Sequence, residues 1–355
     1  MKLVVFGLTV SSSWGNGHAT LWRALIKALD RRGHRVAFYE RDVEYYAANR
    51  DLHELPGGSR LLLYPNWAAV RAAARVDLAD ADAALVTSYC PDGIAAADLV
   101  LESPARVRAF YDLDTPVTLA RLEAGEDVGY VGPRGLRGFD LVLSYTGGGA
   151  LDALRRVLGA RRTAPLYGSV DPEVHRPAPP LDRFRADLSY LGTYAADRQA
   201  AVEELLVEPA RAHPDRRFLI GGACYPDDFP WTTNIWFVRH LPPAEHPAFF
   251  SSGRLTLNVT RAAMAAMGHC PSGRLFEAAA CGAAILTDTW EGLDAFYRPG
   301  RELLTARDRN DVAAALALSD AELARIAKAA RERTLDEHTA DRRAAELVTL
   351  LGGAA

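Results

Sequence analysis

The sequence predicts an α/β protein built from two doubly wound, parallel-sheet domains. Short apolar segments, beginning with residues 3–8, have the continuous hydrophobicity of strands that are covered on both faces. Helical stretches separate most of these segments, which is the alternation typical of parallel sheets with right-handed crossovers. A proline-rich segment, residues 165–180, interrupts the alternation once, after which it starts again.

Composition narrows the class of protein. A chain of 355 residues with 49% apolar and 24% charged residues is expected to fold into about two globular domains. The net charge of -4 and the lack of a basic cluster argue against a nucleic-acid partner. The four cysteines are scattered, so they predict neither a zinc site nor a disulfide framework. A reducing, cytoplasmic location fits these scattered cysteines best, and no apolar segment is long enough to span a membrane.

Seven strands are predicted in the first half of the chain. They are residues 3–8, 35–39, 60–64, 83–87, 107–111, 141–144 and 164–167. After loop 9–17, apolar residues at helical spacing between Leu21 and Leu29 indicate the first crossover helix. Ligands of such sheets bind beyond the carboxyl ends of the strands, so the loops at those ends are the expected places for a site.

The first of these loops combines two glycines with a histidine. Gly15 and Gly17, on either side of Asn16, allow the backbone to approach a ligand closely. His18 opens the following helix, whose dipole disfavours the imidazolium cation, so His18 is suited to act as a general base. The alternative is that His18 only packs at the helix start. A dinucleotide site using Glu40 is a weaker alternative, because Thr20 replaces the third glycine of that motif.

Two further loops of the first half carry candidates. Asp112 and Asp114 follow the strand at 107–111 and could orient a histidine or bind an acceptor hydroxyl. The alternative is a simple turn, since Asp-x-x-Pro segments commonly bend the chain. The glycine triplet at 147–149 precedes a helix and permits close approach of a ligand, or only a flexible connection.

The second half repeats the pattern. Its predicted strands are residues 188–191, 218–220, 235–238, 255–259 and 284–287, and its predicted helices include 197–213 and a C-terminal stretch, 320–351, broken near residues 338–339. The predicted domains are residues 1–175 and 176–335, followed by a C-terminal helix, 336–355.

Three arginines follow strand ends in the second half. Gly192 and Thr193 end one strand shortly before Arg198, and Arg261 and Arg274 follow the strand at 255–259. Arginine pairs with phosphate oxygens in bidentate geometry, so these side chains predict a phosphate-bearing ligand. Each arginine by itself could equally form a surface ion pair.

The segment after Arg261 predicts a short helix with an unusual carboxylate. Ser272 is placed to cap the helix, Gly273 and Arg274 begin it, and Gly282 is suited to end it. Glu277 lies one turn inside, among small and apolar residues. The free amides of the helix start favour a diphosphate. Glu277 could then accept two hydrogen bonds from a diol such as a ribose, or be an ordinary paired carboxylate.

With these elements in place, nearly the whole chain resembles a GT-B glycosyltransferase, close to the CgeB-like spore-coat group and related to glycosyltransferase family 4. The strongest part is residues 258–301, above all PSGRLFEAAACG at 271–282 and WEGL at 290–293. The resemblance implies two Rossmann-like domains that face a central cleft. In that family the second domain binds the nucleotide-sugar donor and the first domain binds the acceptor.

Several roles are implied by the resemblance alone. Glu277 is similar to the second glutamate of the family's Glu-x7-Glu motif, which holds the donor ribose, whereas His269 stands where the first glutamate would be. His240 lies in a segment similar to the one that reads the nucleotide base. Gly17-His18 resembles the start of inverting enzymes, while the Glu-x7-Glu motif belongs to retaining ones, so the stereochemical outcome stays open.

The expected function is transfer of a sugar from a nucleoside diphosphate sugar, most simply a UDP-sugar, to a hydroxyl or amine. GT-B enzymes stabilise the leaving diphosphate with basic side chains and helix dipoles, so neither a metal nor another cofactor is expected. The partners are then the nucleotide sugar and a small-molecule or glycan acceptor. Three alternatives remain: a nucleotide-sugar epimerase of the same fold, a non-catalytic coat protein and a dehydrogenase.

Overall fold

A computed structural model describes residues 1–355. The chain divides into two compact units, each of which makes most of its contacts within itself. The first unit comprises Met1–Tyr167 together with Ala340–Ala355, and the second comprises Gly168–Thr339. The predicted boundaries, after residues 175 and 335, lie near these divisions without coinciding with them. The prolines of the linker indicate an extended segment between the domains. They do not mark the residue at which the chain stops contacting the first unit and begins to contact the second.

The first unit contains a seven-stranded, entirely parallel sheet. Its strands are β1 (Lys2–Gly7), β2 (Arg35–Arg41), β3 (Arg60–Tyr64), β4 (Ala83–Thr87), β5 (Val107–Asp112), β6 (Leu141–Ser144) and β7 (Thr163–Pro165). The order β3-β2-β1-β4-β5-β6-β7 reverses direction between β1 and β4. This reversal is the point of a doubly wound sheet at which strand-end loops diverge and leave room for a ligand.

Helices cover both faces of this sheet. They are α1 (Gly17–Arg31), α2 (Glu44–Ala47), α3 (Trp67–Leu78), α4 (Gly93–Glu102), α5 (Thr115–Glu123) and α6 (Gly149–Leu158). Along β1, Leu3 and Val5 enter one apolar cluster, whereas Val4 and Phe6 enter the other. Because successive strand residues point to opposite faces, burial of both faces explains why this strand is apolar throughout.

The second unit has a six-stranded parallel sheet in the order β10-β9-β8-β11-β12-β13. Its strands are β8 (Ala186–Leu191), β9 (Phe218–Gly222), β10 (Ile235–Arg239), β11 (Gly253–Asn258), β12 (Ile285–Thr287) and β13 (Leu304–Thr305). The order reverses between β8 and β11. Strand β13 could not be predicted, because two residues are too few for a recognisable hydrophobic pattern.

Seven helices belong to the second unit. They are α7 (Gln199–Val202), α8 (Glu208–Ala212), α9 (His246–Ser252), α10 (Ala262–Met267), α11 (Gly273–Ala280), α12 (Arg309–Leu316) and α13 (Asp320–Glu337). The predicted continuous helix at 197–213 is interrupted by a π-helical turn, Glu203–Val207, between α7 and α8. Pro209 explains the interruption, because it cannot donate the backbone hydrogen bond that an α-helix requires there.

The chain ends with α14 (Ala340–Gly352), which packs on α1 within the first unit. Ala344, Leu347 and Leu351 enter the same apolar cluster as Trp22 and Leu25. The predicted break near residues 338–339 is confirmed, since α13 ends at Glu337 and α14 begins at Ala340.

Candidate functional site

In the first unit, His18 and Asp114 are brought together from the ends of different strands. His18 lies at the start of α1, after β1, and Asp114 lies after β5. The Nε2 atom of His18 is 3.7 Å from Oδ2 of Asp114, and both side chains are partly exposed. This separation is longer than a hydrogen bond, but acid–base pairs without substrate are often loose and tighten on binding.

Tyr89 completes this group from the end of β4. Its ring centroid is 5.6 Å from that of His18, and its backbone φ of 63° is in the left-handed region that a tyrosine seldom adopts. Burial and the neighbouring Asp114 raise the pKa of the Tyr89 hydroxyl, so it stays protonated and able to donate a hydrogen bond. Tyr89 could not be recognised from the sequence, because a tyrosine after a strand carries no distinctive pattern.

Asp112 lies behind this group and is fully buried. Its Oδ1 atom accepts hydrogen bonds from the Asp114 amide and from the Thr118 hydroxyl, both at 3.1 Å, while Oδ2 has no hydrogen-bond partner. Burial raises the pKa of Asp112 to about 6. Asp112 therefore supports the loop that carries Asp114, and its predicted contact with an acceptor stays a prediction.

We expect Asp112→Asn to increase the free energy of unfolding at pH 8 by about 1–3 kcal/mol, because the wild type must keep a buried carboxylate ionised there. As the pH falls through 6, the wild-type carboxyl takes up its proton and the difference shrinks. Urea unfolding at pH 8 and pH 5 measures the difference in the free energy of unfolding.

Asp82→Asn is the matched control, since a hydrogen bond from the Lys2 amide lowers the pKa of Asp82. The Asp82→Asn variant should lose stability at pH 8. If Asp112→Asn changes the free energy of unfolding equally at pH 8 and pH 5, the raised pKa of Asp112 is contradicted.

The loop before α1 is organised by structural contacts. Gly15 adopts a φ of 59°, which suits glycine. Asn16 caps α1, because its Oδ1 accepts from the His18 amide at 3.0 Å, and Gly17 is the first residue of the helix. These contacts explain how His18 is positioned. The predicted contacts of this loop with an acceptor stay predictions.

Glu40 does not serve the dinucleotide site considered above. Its carboxylate is buried and accepts hydrogen bonds from the Thr9 hydroxyl and from the amides of Val10 and Ser11, at 2.7–3.0 Å. The Ser11 hydroxyl adds a further bond. Since these bonds occupy both oxygens, Glu40 fixes the loop after β1 and is not free to bind a ribose. This finding corrects that alternative.

In the second unit, Arg198 and Arg274 lie near the buried hydroxyl of Tyr190. Arg198 donates to the Thr193 carbonyl, and its guanidinium is 6.0 Å from the centre of the Tyr190 ring. Tyr190 is 2% exposed and its hydroxyl has no hydrogen-bond partner. Burial raises the pKa of Tyr190, although Arg198 and Arg274 oppose this. The hydroxyl therefore keeps its proton and can donate a hydrogen bond to an anion.

Gly192 leaves room at the end of β8 for the Tyr190 hydroxyl and the Arg198 guanidinium. A Cβ atom on Gly192 would lie 2.7 Å from the Tyr190 hydroxyl and 3.3 Å from Nη2 of Arg198. The Tyr225 hydroxyl donates to the Gly192 carbonyl at 3.0 Å. The absence of a side chain at Gly192 thus lets the tyrosine hydroxyl and the arginine share one small space at the strand ends.

Arg261 is engaged elsewhere in this structure. Its Nε atom pairs with Oδ2 of Asp197 at 2.8 Å. The ordinary ion pair considered in the sequence analysis is therefore present, and its charge is balanced by a neighbouring residue. Both side chains are partly exposed, so the pair is expected to be weak. The predicted phosphate contact of Arg261 stays a prediction.

The helix α11 begins as predicted and carries Arg274 and Glu277 one turn apart. The Ser272 hydroxyl accepts from the Arg274 amide at 3.3 Å, which confirms the cap, and Gly282 has a φ of 77°. Nη1 of Arg274 donates to Oε2 of Glu277 at 2.6 Å. Glu277 is only 4% exposed. The Glu277 carboxylate is thus buried and paired with an arginine of its own helix, and its predicted contact with a donor ribose stays a prediction.

Two histidines that the sequence analysis did not single out face the same carboxylate. Nδ1 of His246 is 3.7 Å from Oε2 of Glu277, and Nε2 of His175 is 4.0 Å from Oε1. Burial by itself would raise the pKa of Glu277, but Arg274 and the two imidazoles bring it well below its ordinary value. One ligand atom from each of these three residues lies within 4.8 Å of the others, so this group could hold a metal ion.

Two other predicted or implied residues occupy strained loop positions. His240 has a φ of 47°, and its amide donates to the Gly222 carbonyl at 2.7 Å, directly after β10. His269 has a φ of 46°, and its amide donates to the Glu291 carbonyl at 2.6 Å. Positive φ at a non-glycine residue is uncommon and is often found at functional loops. Base recognition by the segment around His240 stays a prediction.

Residues 198–349 match the sequence model of a family described as glycosyl transferase-like, which covers most of the second unit and less than half of the chain. No protein among those with curated descriptions matches the sequence. No helix has both the length and the hydrophobicity that crossing a membrane requires.

Solved structures share the fold over the whole chain. Sucrose-phosphate synthase from Thermosynechococcus elongatus matches with a TM-score of 0.69 at 14% identity, covering 100% of both chains. Anabaena HepE in complex with UDP and glucose matches with a TM-score of 0.68 at 13% identity, covering 99% of this chain and 100% of that one. An α-glucosyltransferase in complex with UDP-glucose and DNA containing an abasic site matches with a TM-score of 0.71 at 11% identity, covering 99% of each. The chain therefore has the GT-B fold with two Rossmann-like, parallel-sheet units, which confirms the predicted fold class.

Proposed function

We propose that this protein is a glycosyltransferase of the hexosyltransferase type, close to the CgeB-like group, that moves a sugar from a nucleoside diphosphate sugar to a hydroxyl or amine acceptor. The GT-B fold and the glycosyl transferase-like sequence of residues 198–349 support the reaction class. UDP-sugars are the favoured donors, since HepE was solved with UDP and glucose and another protein of this fold with UDP-glucose.

The observation that carries the proposal is the group formed by Arg198, Arg274 and Tyr190 in the second unit. Two guanidinium groups and one protonated, unpartnered hydroxyl lie at strand ends beside the capped start of α11. Such donors suit a diphosphate, which gains negative charge as the sugar leaves it. Donors that are already fixed by the fold stabilise that charge without reorganising during the reaction, which is usually the largest catalytic contribution.

The acceptor is assigned to the first unit. An acceptor hydroxyl or amine must lose a proton as it attacks the sugar, and His18 is the base within reach of a stabilising carboxylate. In this assignment the imidazole of His18 receives the proton, and Asp114, whose Oδ2 atom lies 3.7 Å from Nε2, stabilises the imidazolium that forms. Tyr89 orients the carboxylate. The acceptor itself is taken to be a small molecule or glycan, because the net charge of -4 does not favour a nucleic-acid surface.

We also propose that transfer needs no metal cofactor. Arg198 and Arg274 supply the positive charge that a divalent cation would otherwise bring to the diphosphate. Only the group around Glu277 has metal-ligand geometry, and its carboxylate is already neutralised by Arg274 at 2.6 Å. Activity measured with and without EDTA tests this, and loss of activity that Mg²⁺ or Mn²⁺ restores would contradict it.

Binding of nucleotides is the first test of the proposal. We expect UDP, GDP or TDP to raise the melting temperature of the full chain, with UDP giving the largest shift. A ligand at about 100 times its Kd stabilises the folded state by roughly 2.7 kcal/mol, which gives a shift of several degrees. NAD is the control for the dehydrogenase alternative. If none of the three nucleotides changes the melting temperature, the glycosyltransferase proposal is wrong and a non-catalytic coat protein is favoured.

A product assay separates transfer from the remaining alternatives. A transferase releases free UDP in proportion to the glycosylated acceptor, whereas an epimerase converts one nucleotide sugar into another and releases no net UDP. We therefore expect free UDP to appear only when an acceptor is added. A panel of glycans, amines and single- and double-stranded DNA identifies the acceptor class, and transfer to DNA would overturn the small-molecule or glycan assignment.

A further inference from the structure

Two buried histidines beside Glu277 have no role in the proposed reaction. His175 follows the linker, His246 is the first residue of α9, and Glu277 belongs to α11. The three residues lie in the second unit and are at most 4% exposed. One potential metal-ligand atom from each lies within 4.8 Å of the other two. Nitrogen and carboxylate donors from three separate segments therefore converge where little water can reach them.

The hydrogen bond of His246 leaves a lone pair directed at this group. Nε2 lies 3.3 Å from the Leu241 carbonyl oxygen, which can only accept, so Nε2 carries the proton of the neutral ring. Nδ1 has no hydrogen-bond partner and lies 3.7 Å from Oε2 of Glu277. Histidines that bind metals usually donate their other ring nitrogen to a carbonyl or carboxylate, which fixes the ring and its tautomer. His246 is therefore oriented as a metal ligand.

His175 contributes unsatisfied nitrogens to the same place. It is 2% exposed, and neither Nδ1 nor Nε2 has a hydrogen-bond partner. Buried polar atoms normally have a partner, because no water compensates for a missing one. Nε2 lies 4.0 Å from Oε1 of Glu277, which is too far for a hydrogen bond. A cation between the two imidazoles and the carboxylate would satisfy one nitrogen of each ring.

The segments that carry these side chains are already held together. The Ser251 hydroxyl on α9 accepts from the Ala178 amide at 3.1 Å and donates to the Cys281 carbonyl at 3.2 Å. These two partners lie three residues after His175 and four residues after Glu277. The ligand atoms of a tetrahedral zinc site are roughly 3.3 Å apart, so each ligand atom must move inward by less than about 1 Å. Side-chain rotation on a fixed backbone provides such a movement.

The charge of a divalent ion is the main cost of such a site. The charges of Glu277 and Arg274 balance each other, because Nη1 of Arg274 donates to Oε2 at 2.6 Å. The negative charge of Asp171, which is 6% exposed, acts on His175 and offsets part of the added positive charge. Arg274 is 31% exposed, so water weakens its repulsion. A water molecule bound to zinc also ionises readily, which removes a further positive charge.

We infer that His175, His246 and Glu277 bind a zinc ion that fastens the segment after the linker to α9 and α11. Two imidazole nitrogens and one carboxylate oxygen suit zinc, whereas Mg²⁺ and Ca²⁺ prefer oxygen ligands alone. Zinc also binds such sites more tightly than Mn²⁺ or Fe²⁺ does. The hydrogen bond from Arg274 is compatible with this role, since carboxylates that bind metals are themselves usually hydrogen-bonded.

The expected role of the zinc ion is to stabilise the second unit. The ligands are too deeply buried for a substrate to reach the metal, so zinc takes no part in sugar transfer. In this assignment the Glu277 carboxylate binds the metal and not a donor ribose. Prolonged treatment with a chelator would then lower activity only by loosening the fold. Zn²⁺ would restore that activity, whereas Mg²⁺ or Mn²⁺ would not.

Metal analysis and melting temperatures of the full chain test the zinc site. The protein is produced in zinc-supplemented medium and purified without metal-affinity chromatography, and we expect about one zinc ion per chain. After removal of the metal with a chelator, zinc at about 1,000 times its Kd should raise the melting temperature by roughly 8–16 °C. Mg²⁺ is the control and should cause no shift. Cobalt(II) in place of zinc should give the visible absorption of a tetrahedral site.

Variants assign the metal to the histidines. For His175→Asn and for His246→Gln we expect zinc binding at least about a hundredfold weaker than in the wild type, since even changes around the ligands cost 10–100-fold. Both variants should lose the cobalt absorption. His213→Gln is the matched control, because His213 is a partly exposed histidine of the same unit at the end of α8. It should bind zinc like the wild type.

The outcomes decide the zinc site separately from the proposed function. The inference is wrong if the wild type contains no zinc and added zinc leaves its melting temperature unchanged. It is also wrong if His246→Gln binds zinc as tightly as the wild type, because the metal then lies elsewhere. Should both variants fail to fold, a wild type with zinc bound but without the tetrahedral cobalt absorption would overturn the assignment. Failure of all nucleotides to bind would refute the glycosyltransferase proposal and leave the zinc site standing.

Discussion

Replacing His18 with alanine is expected to reduce sugar transfer by roughly 10²–10⁴-fold, the range typical of losing a general base. Nucleotide affinity should stay within about twofold of the wild type, because the diphosphate is assigned to the second unit. The helix start should persist, since the Asn16 cap accepts from the His18 backbone amide and not from its side chain. Steady-state kinetics and UDP titration on the same preparation measure the two effects separately.

Two further variants define what the His18 result means. Asp114→Asn keeps the shape of the side chain but removes the charge that faces Nε2 of His18, so we expect a loss of turnover with unchanged UDP affinity. His53→Ala, at an exposed position of the same unit, is the matched control and should behave like the wild type. Unchanged transfer in His18→Ala would show that this histidine only packs at the start of α1, as the alternative in the sequence analysis held.

Replacing Arg198 with alanine is expected to lower turnover by roughly a hundredfold or more, on the scale of removing one preorganised donor to a developing anion. Arg274→Ala should lose at least as much, because Arg274 also neutralises Glu277. Removing one partner of a buried ion pair leaves a charge without compensation and destabilises the fold by about 3–5 kcal/mol. The two variants should therefore differ in melting temperature. Arg198→Ala should melt near the wild-type temperature, and Arg274→Ala should melt well below it.

Turnover with saturating donor, together with the melting temperature of each variant, checks this pair of predictions. Arg307→Ala is the control, because Arg307 is 79% exposed and pairs only with its neighbour in sequence, Asp311. Asp311 lies four residues further along the chain, and this exposed pair is expected to be weak, so the variant should leave turnover and stability near the wild-type values. Wild-type turnover in both Arg198→Ala and Arg274→Ala would remove the phosphate role, and with it the main support for the proposed function.

The strands of both sheets were predictable because their signal is local. A strand covered on both faces must be apolar at every position, so segments such as residues 3–8 are recognisable without knowledge of their neighbours. The cap of α11 was predictable for the same reason, since Ser272 and Gly282 act on the backbone of their own helix. The interruption before α8 could have been anticipated from Pro209, had its missing donor been considered.

The surroundings of Glu277 were not predictable from the sequence. Its partners are Arg274 on the same helix, His246 on another helix and His175 after the linker. Only Arg274 has a sequence spacing that suggests contact. A lone histidine in a linker or at a helix start has no pattern that distinguishes a buried partner of a carboxylate from a surface residue. The same holds for Tyr190, whose unpartnered hydroxyl becomes apparent only when its burial is known.

Local sequence patterns were enough to predict the class of fold, the alternation of strands and helices, and the loops in which a site is expected. These features depend on hydrophobic periodicity and backbone capping, which act over a few residues. Only the folded chain shows that His18 lies beside Asp114, that Glu40 fixes a loop, and that Glu277 is buried among three basic side chains. Those outcomes depend on distances and burial between residues far apart in the chain, and such distances are set only when the strands assemble in their final order.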